Sequence, residues 1–272
     1  MIVPSMNQSA YNFERCKLCG ELTATPRFRL AENWIYACRH CDFHFLDILD
    51  DEDKENRLDD KARSYIESRL TEGQYLHSER VEFIARHTDL SSIKALDIGA
   101  GLGQFQLLFG ELGGECLGIE PSSLRRQYAA EKFGINLHRE LVDSPFWQDN
   151  FSRYFDLITL WDVIEHVNFP RETLQAAVEL LKPGGLLCLE TPSRDVVSYR
   201  LSLKAHHLSK GKFGLYLPNF YSTARYGHKQ IFTTRQMENL LESTGLNLVA
   251  WCHSYVKKLF PGDKMIVSAR KR

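Results

Sequence analysis

The sequence predicts an α/β fold: a Rossmann-like, doubly wound and mostly parallel sheet of seven strands that ends in a C-terminal antiparallel hairpin. Residues 95–105 contain a short apolar run, a glycine-rich turn and a second apolar segment, which is the order of strand, turn and helix. A second strand ends at Glu120, and the apolar stretch 154–161 is typical of a parallel strand covered on both faces. Residues 247–256 and 265–270 would form the closing hairpin.

The glycine turn predicts a ligand that contains adenosine. Gly99, Gly101 and Gly103 remove alternate side chains, so the backbone can adopt positive φ and lie against a flat ligand. A dinucleotide fingerprint would place its third glycine at position 104, which is Gln104, and this weakens a pyrophosphate interpretation. Glu120 follows the turn by about 20 residues, where such folds bind ribose hydroxyls.

Four motifs extend this interpretation along the chain. They are D-I-G-A-G-L-G at 97–103, G-I-E-P-S at 118–122, W-D-V-I-E-H at 161–166 and L-K-P-G-G at 181–185. In this order they resemble the class I S-adenosylmethionine-dependent methyltransferases, specifically the small-molecule methyltransferase group. The resemblance covers residues 73–272, and it implies S-adenosyl-L-methionine as the cofactor.

The resemblance also implies which residues bind the cofactor. They are Asp97, Gly99, Ala100, Gly101, Gly103, Glu120, Pro121, Asp143 and Trp161. In the family, the Trp161 position lies beside the methionine part of the cofactor. Asp143 follows a predicted third strand at 135–141 and would face the adenine amino group. A plain turn role is the alternative for Asp143, because Asp before Ser-Pro is good turn chemistry.

Two histidines are the candidates for catalysis. A histidine before a Phe-Thr pair recurs on the active-site side of the resembling enzymes, which makes His228 the first candidate for a general base and His166 the second. Some relatives that methylate vicinal diols or catechols bind magnesium through two acids and the second histidine. Asp162, Glu165 and His166 could imitate that trio, but we favour a role for Glu165 and His166 in orienting the start of the next helix.

The N-terminal part predicts a structural zinc site. Two C-x-x-C pairs, with 18 residues between them, have the spacing of a zinc ribbon. They supply four thiolates: Cys16, Cys19, Cys38 and Cys41. Four such ligands close a tetrahedral shell, so the zinc would be structural and not catalytic. The alternatives are a pair of disulfides, or the replacement of one cysteine by His40 or His44.

These patterns divide the chain into three parts. Residues 12–46 form the zinc-ribbon module, 47–72 an acidic and helical connector, and 73–272 the methyltransferase domain. Within the domain, residues 191–230 interrupt the fold with a basic and aromatic insert, which we interpret as a substrate lid, the alternative being a solvated helical hairpin. Its basic residues are Arg194, Arg200, Lys204, Lys210, Lys212, Arg225 and Lys229.

Charge and hydropathy narrow the class of partner. The net charge of -1 and the pI of about 6.8 give no overall nucleic-acid footprint. The N-terminus lacks the pattern of an export signal and no apolar run approaches 18 residues, so we expect a cytoplasmic protein without a membrane span.

The function predicted from the sequence is methyl transfer to a small acceptor. We expect O-methylation of a sugar or a natural-product hydroxyl, and the basic insert favours an anionic acceptor such as a nucleotide-linked or phosphorylated sugar. One alternative is an RNA methyltransferase that grips nucleic acid with the zinc ribbon and the insert. The other is a non-catalytic scaffold that binds the cofactor.

Overall fold

The computed structural model describes residues 11–30, 32–51, 56, 58–67, 70–209, 213–215, 220–253 and 264–272, with the backbone alone for residues 71–76. The strands are β1 Ala24–Leu30, β2 Asn33–Cys38, β3 His44–Leu46, β4 Lys94–Ile98, β5 Glu115–Ile119, β6 Phe155–Trp161, β7 Leu181–Pro192, β8 Gln230–Ile231, β9 Leu246–His253 and β10 Lys264–Lys271. The helices are α1 Asp60–Glu67, α2 Leu70–Ala85, α3 Gln104–Glu111, α4 Ser123–Phe133, α5 Pro145–Phe151, α6 Pro170–Leu180, α7 Val197–Leu208 and α8 Thr234–Ser243.

The main sheet has the strand order β5-β4-β6-β7-β10-β9. Its first four strands are parallel neighbours, and β10 lies antiparallel to both β7 and β9. Leu157, Ile158 and Leu160 of β6 are fully buried, as expected for a central strand covered on both faces. The predicted α/β class, the mostly parallel sheet and the antiparallel C-terminal strands are confirmed. The turn predicted around Pro261 lies outside the described residues.

The prediction of seven strands was wrong by one strand in the described part of the chain. Segment 135–141 contributes a single parallel bridge between His138 and Ile119, with His138 donating its N–H to Gly118 O and accepting from Glu120 N–H. Beyond this bridge no further pairing of the segment with β5 is formed in the described residues, and the carbonyl of Glu140 accepts a 2.8 Å hydrogen bond from the indole of Trp147 on α5.

A second sheet joins the N-terminal module to the catalytic domain. Its order is β1-β2-β3-β8, and β3 pairs antiparallel with β8, so that His44 lies opposite Ile231. Beneath it lies one buried cluster of residues from both parts of the chain: Phe28, Ile35, Leu46, Ile48, Tyr199, Tyr221 and Ile231. The module therefore shares a sheet and a core with the end of the insert.

The predicted acidic connector packs against the catalytic domain where the structure describes it. The Asp50 side chain is 16% exposed and lies 3.2 Å from Nζ of Lys229, whose side chain is fully buried. Asp50 also accepts the N–H of Tyr226, and its backbone exchanges two hydrogen bonds with the side chain of Asn168. The connector thus anchors the end of the insert. Residues 52–55, 57, 68 and 69 lie outside the description.

Within the described ranges, every helix is too short or too polar to cross a bilayer.

We expect Asp50→Asn to lower the free energy of unfolding by about 3 kcal/mol, because it leaves the buried ammonium of Lys229 without its carboxylate. Urea denaturation monitored by tryptophan fluorescence measures the change. Asp51→Asn is the matched control, since Asp51 is exposed. Equal transition midpoints for the two variants would contradict the anchoring role.

Candidate functional site

The glycine turn connects β4 to α3 in a left-handed backbone. Gly99 and Gly101 have φ values of 75° and 59°, which favour glycine. A Cβ on Gly99 would lie 2.4 Å from Cγ2 of Val163, so this position also needs glycine for space. Around Gly101 no described atom would approach within 4 Å of a Cβ, so this part of the turn faces open space. A ligand can approach the backbone there.

Glu120 holds the turn from the next strand. Its side chain is 2% exposed; Oε2 accepts the N–H of Gly101 at 2.9 Å and Oε1 accepts the N–H of Ser122 at 2.8 Å. Burial raises the pKa of Glu120. Each carboxylate oxygen has a second lone pair, so the same side chain can also accept two hydroxyl groups of a ribose. The turn and the predicted ribose-binding acid form one unit.

Three other predicted cofactor residues, Gly99, Ala100 and Asp97, lie in the turn itself or in the strand before it. The N–H groups of Gly99 and Ala100 both donate to the carbonyl of Ile119 at 2.8 Å, which fixes the turn against β5. Asp97 is buried within β4 and accepts a 2.7 Å hydrogen bond from Thr159 of β6. Burial raises the pKa of Asp97 to about 7.

Gly103, Pro121 and Asp143 complete the predicted set. Gly103 ends the turn with a φ of 75°, directly before α3. Pro121 is partly buried after Glu120, and Asp143 is exposed in the turn before α5. This exposed position of Asp143 is compatible with both predicted roles, contact with the adenine and formation of the turn.

Trp161 is the last residue of β6 and lies beside a partly buried network of ion pairs. The guanidinium of Arg80 on α2 lies 5.1 Å from the centre of the Trp161 ring. Arg80 donates to Glu190 of β7 and to Asp162, in each case at 2.7 Å. Lys264 of β10 donates to the other oxygen of Asp162 at 2.6 Å. The indole Nε1 of Trp161 has no hydrogen-bond partner among the described residues.

Sequence reasoning missed Arg80, Glu190 and Lys264 as parts of this site. A local signal marks each of Arg80 and Glu190 separately, although neither signal indicates that the two side chains pair. Arg80 is four residues before the buried Ile84, which places both on one face of α2. Glu190 is an acid at the end of the apolar run 186–190, where a carboxylate needs a buried partner.

The alternative magnesium trio of Asp162, Glu165 and His166 does not converge in the described residues. Both carboxylate oxygens of Asp162 are paired with Arg80 and Lys264, and among the described residues Asp162 does not belong to the group of ligand atoms that converges at Glu165 and His166. In its place, the structure brings together Glu165, His166 and His228, whose ligand atoms lie within 4.8 Å of one another. This trio has a spacing that a metal ion could bridge.

The electrostatics of this trio favour neutral groups. Burial, reinforced by Asp162, raises the pKa of Glu165 to about 8, and burial lowers the pKa values of both His166 and His228. The Nδ1–H of His228 donates to the carbonyl of Phe220 at 3.2 Å, which leaves Nε2 as the acceptor. Oε2 of Glu165 accepts from Thr191. The arrangement presents a neutral imidazole that can accept a proton.

The four predicted zinc ligands converge in the N-terminal module. Sγ of Cys16 lies 3.6 Å from Sγ of Cys41, Sγ of Cys19 lies 3.6 Å from Sγ of Cys38, and all four atoms are within 4.8 Å of one another. A zinc ion with Zn–S bonds of about 2.3 Å would place the sulfurs about 3.8 Å apart. Since a disulfide requires about 2.05 Å, these are free thiols that fit a metal.

Several residues of the predicted lid are buried. Tyr199 and Tyr221 lie in the core shared with the N-terminal module, Lys229 is fully buried, and Arg194 is paired with Asp42. These side chains stabilise the insert and do not form a solvated basic surface. Lys210 and Lys212 lie outside the described residues.

These features define the class of protein. A glycine turn held by a buried acid from the next strand, at the carboxyl edge of a parallel sheet that ends in antiparallel strands, is the arrangement of a class I S-adenosylmethionine-dependent methyltransferase domain. A family model described as a methyltransferase domain matches residues 69–250. The chain belongs to this family.

Curated relatives and solved structures agree with this assignment. Ubiquinone biosynthesis O-methyltransferases of Methylococcus capsulatus and Nitrosococcus oceani are 30% and 31% identical over 127 and 124 residues. The matches cover 46% and 44% of this chain and 54% and 52% of those proteins. The chain therefore spans about half the length of the curated relatives it matches.

Among solved structures, an S-adenosylmethionine-dependent methyltransferase from Mesorhizobium loti has a TM-score of 0.51 at 18% identity, covering 69% of this chain and 94% of that one. Magnesium protoporphyrin IX methyltransferase from Synechocystis has a TM-score of 0.50 at 12% identity, covering 81% and 90%. At these identities the likeness shows the fold alone.

We expect Glu120→Gln to weaken binding of S-adenosylmethionine about 10- to 100-fold, because it removes a charged acceptor of the kind that contributes about 1.5–3 kcal/mol. Isothermal titration calorimetry measures the dissociation constant. Glu115→Gln is the control, since Glu115 is exposed at the other end of the same strand. An unchanged dissociation constant in Glu120→Gln would remove Glu120 from the cofactor site.

Proposed function

We propose that the protein transfers the methyl group of S-adenosylmethionine to a hydroxyl of a small, anionic acceptor. The observation that carries this proposal is the approach of Glu165, His166 and His228 beside the carboxyl ends of β6 and β7. Val163, three residues before His166, packs on Gly99 of the cofactor turn, so the two sites are adjacent. The names of the curated relatives support O-methylation.

In this proposal the cofactor binds along the glycine turn. Glu120 accepts the ribose hydroxyls, the backbone at Gly101 lies against the ligand, and Trp161 flanks the methionine part. The cofactor supplies an activated sulfonium methyl group. The remaining task of the chain is to align the acceptor oxygen with that carbon, and alignment can contribute roughly 7 to 11 kcal/mol.

His228 is the proposed general base. Its hydrogen bond to the carbonyl of Phe220 fixes the tautomer, and its lowered pKa keeps the imidazole neutral at pH 7. Nε2 would then take the proton of the acceptor hydroxyl as the oxygen attacks the methyl carbon. His166, with its ring centre 4.9 Å from that of His228, would assist in positioning. A magnesium ion at this trio is the competing role for the same residues.

We also propose that Cys16, Cys19, Cys38 and Cys41 hold a structural zinc ion. The four sulfurs fit a tetrahedral site, and a closed shell of thiolates leaves no position for substrate. The ion would stabilise the hairpin of β1 and β2.

The reaction is tested with labelled S-adenosylmethionine against a panel of nucleotide sugars, phenols and RNA. We expect label in a small phosphorylated or nucleotide-linked acceptor, with the methyl group on oxygen by NMR. Transfer to RNA alone, or cofactor binding without transfer to any acceptor, would contradict the proposal.

We expect His228→Ala to retain cofactor affinity and to lose about 10²- to 10⁴-fold in turnover, the usual contribution of a general base. His40→Ala, an exposed histidine in the N-terminal module, is the matched control. Unchanged turnover in His228→Ala would exclude the base. Activity that is lost with EDTA and restored by magnesium would instead assign the trio to a metal ion.

We expect Cys38→Ser to abolish zinc binding and to lower the melting temperature by about 10 °C or more, because structural zinc contributes on the order of 10 kcal/mol to folding. Atomic emission gives the zinc content and calorimetry the melting temperature. Cys252→Ser should keep one zinc per chain, since Cys252 lies in β9. A wild-type chain without zinc would refute the site.

A further inference from the structure

A basic cavity lies between the N-terminal module and the insert. It has a volume of about 500 Å³ and is lined by residues of β1, β3 and α7, by Asp42 before β3 and by Arg194 after β7. The polar lining residues are Arg27, Asp42, His44, Arg194, His206 and His207. We call it the ribbon–insert cavity. Its size is that of a small-molecule site.

Positive charge exceeds negative charge around this cavity. An adjoining cavity of about 510 Å³ shares Arg27 and Asp42 with it and adds Arg39. Together the two cavities are lined by three arginines, Arg27, Arg39 and Arg194, and by one carboxylate, Asp42. Arg27 and Arg39 are exposed, and the side chain of Asp42 is 70% exposed. A groove of this composition favours an anion.

Arg194 is held rigidly in the wall. It is 5% exposed; Nη2 donates to Asp42 Oδ2 at 2.9 Å and lies 3.3 Å from Nε2 of His44, and Nη1 donates to the carbonyl of Asp42. Its guanidinium lies over the ring of Tyr199. Nε of Arg194 has no hydrogen-bond partner in the described part of the chain. Since both Nη groups already donate to Asp42 and Nε is buried, Arg194 contributes positive charge to the wall of the cavity.

The ribbon–insert cavity is close to the proposed catalytic trio along two paths. His44 pairs across the sheet with Ile231, about 5 Å away, and Ile231 is three residues after His228, at most about 10 Å further along the chain. Arg194 is three residues after Thr191, which donates a hydrogen bond to Glu165. A nucleotide-linked sugar is long enough to span such a separation between a hydroxyl and a phosphate group.

We propose that the ribbon–insert cavity binds the phosphate or diphosphate group of the acceptor. This inference rests on the proposed methyl transfer to a small anionic molecule and names the part of the chain that recognises the anion. The exposed Arg27 binds the phosphate oxygens, the charge of Arg194 adds to the attraction, and His206 and His207 of α7 also line the cavity, while Asp42 holds Arg194 in place. The acceptor hydroxyl then extends towards His228.

The test measures binding of inorganic pyrophosphate to the full chain by calorimetry. We expect Arg27→Gln to weaken this binding at least about 10-fold, as for the loss of one charged hydrogen bond. The substitution is made at Arg27 because this side chain is exposed, so the buried ion pair of Arg194 with Asp42 stays intact. Arg29→Gln is the matched control, because Arg29 lies on the same strand at the surface, 3.8 Å from Glu32, and does not line the cavity.

A phosphorylated acceptor should compete with pyrophosphate, and its KM should rise in Arg27→Gln. The inference is overturned if wild-type protein does not bind pyrophosphate at millimolar concentration, or if Arg29→Gln weakens binding equally. It is also overturned if an RNA oligonucleotide binds with steep salt dependence and pyrophosphate does not displace it. Pyrophosphate binding without any methyl transfer would refute the proposed function alone, whereas transfer to an uncharged acceptor without pyrophosphate binding would refute the cavity alone.

Discussion

The buried ion network around Asp162 is the constraint on which the catalytic edge depends. Arg80 and Lys264 reach Asp162 and Glu190 from α2 and β10, so four elements meet at one set of charges. Arg80 and Glu190 are buried, whereas the side chains of Asp162 and Lys264 are 27% and 24% exposed. Burial of the first pair costs several kcal/mol for each ion, and close pairing offsets that cost. The pairing holds Asp162 with a φ of 56°, in the left-handed region, directly after β6. The network therefore fixes the direction in which the chain leaves β6, and with it the positions of Glu165 and His166.

The same network shifts the pKa values of two neighbouring acids, Asp162 and Glu165, in opposite directions. Asp162 is surrounded by cations, which lower its pKa despite burial, whereas burial and the nearby Asp162 raise the pKa of Glu165. The environment of Asp162 favours its charged form, and that of Glu165, beside two imidazoles, favours its neutral form. Such divergence between neighbouring titratable groups is common where proton transfer occurs.

The sequence was sufficient for features that depend on local spacing. The glycine turn, the acid at Glu120 and the two C-x-x-C pairs each encode their geometry within a few residues, so the turn and the convergence of the four sulfurs could be predicted. The long-range pairs could not. Arg80 and Glu190 are 110 residues apart, and no local pattern states that β8 will add to the N-terminal sheet. The basic and aromatic composition of the insert also did not reveal that Tyr199 and Lys229 are buried.

The pairing of β3 with β8 has a consequence for how the chain folds as it is synthesised. His44 emerges roughly 190 residues before Ile231, its partner across the sheet. At about 5–20 residues per second, the N-terminal hairpin would wait on the order of 10 to 40 seconds for the strand that completes it. During that interval Phe28, Ile35 and Leu46 lack the apolar neighbours that later cover them. If the proposed zinc ion binds early, it would hold the two C-x-x-C turns together until Ile231 has been made.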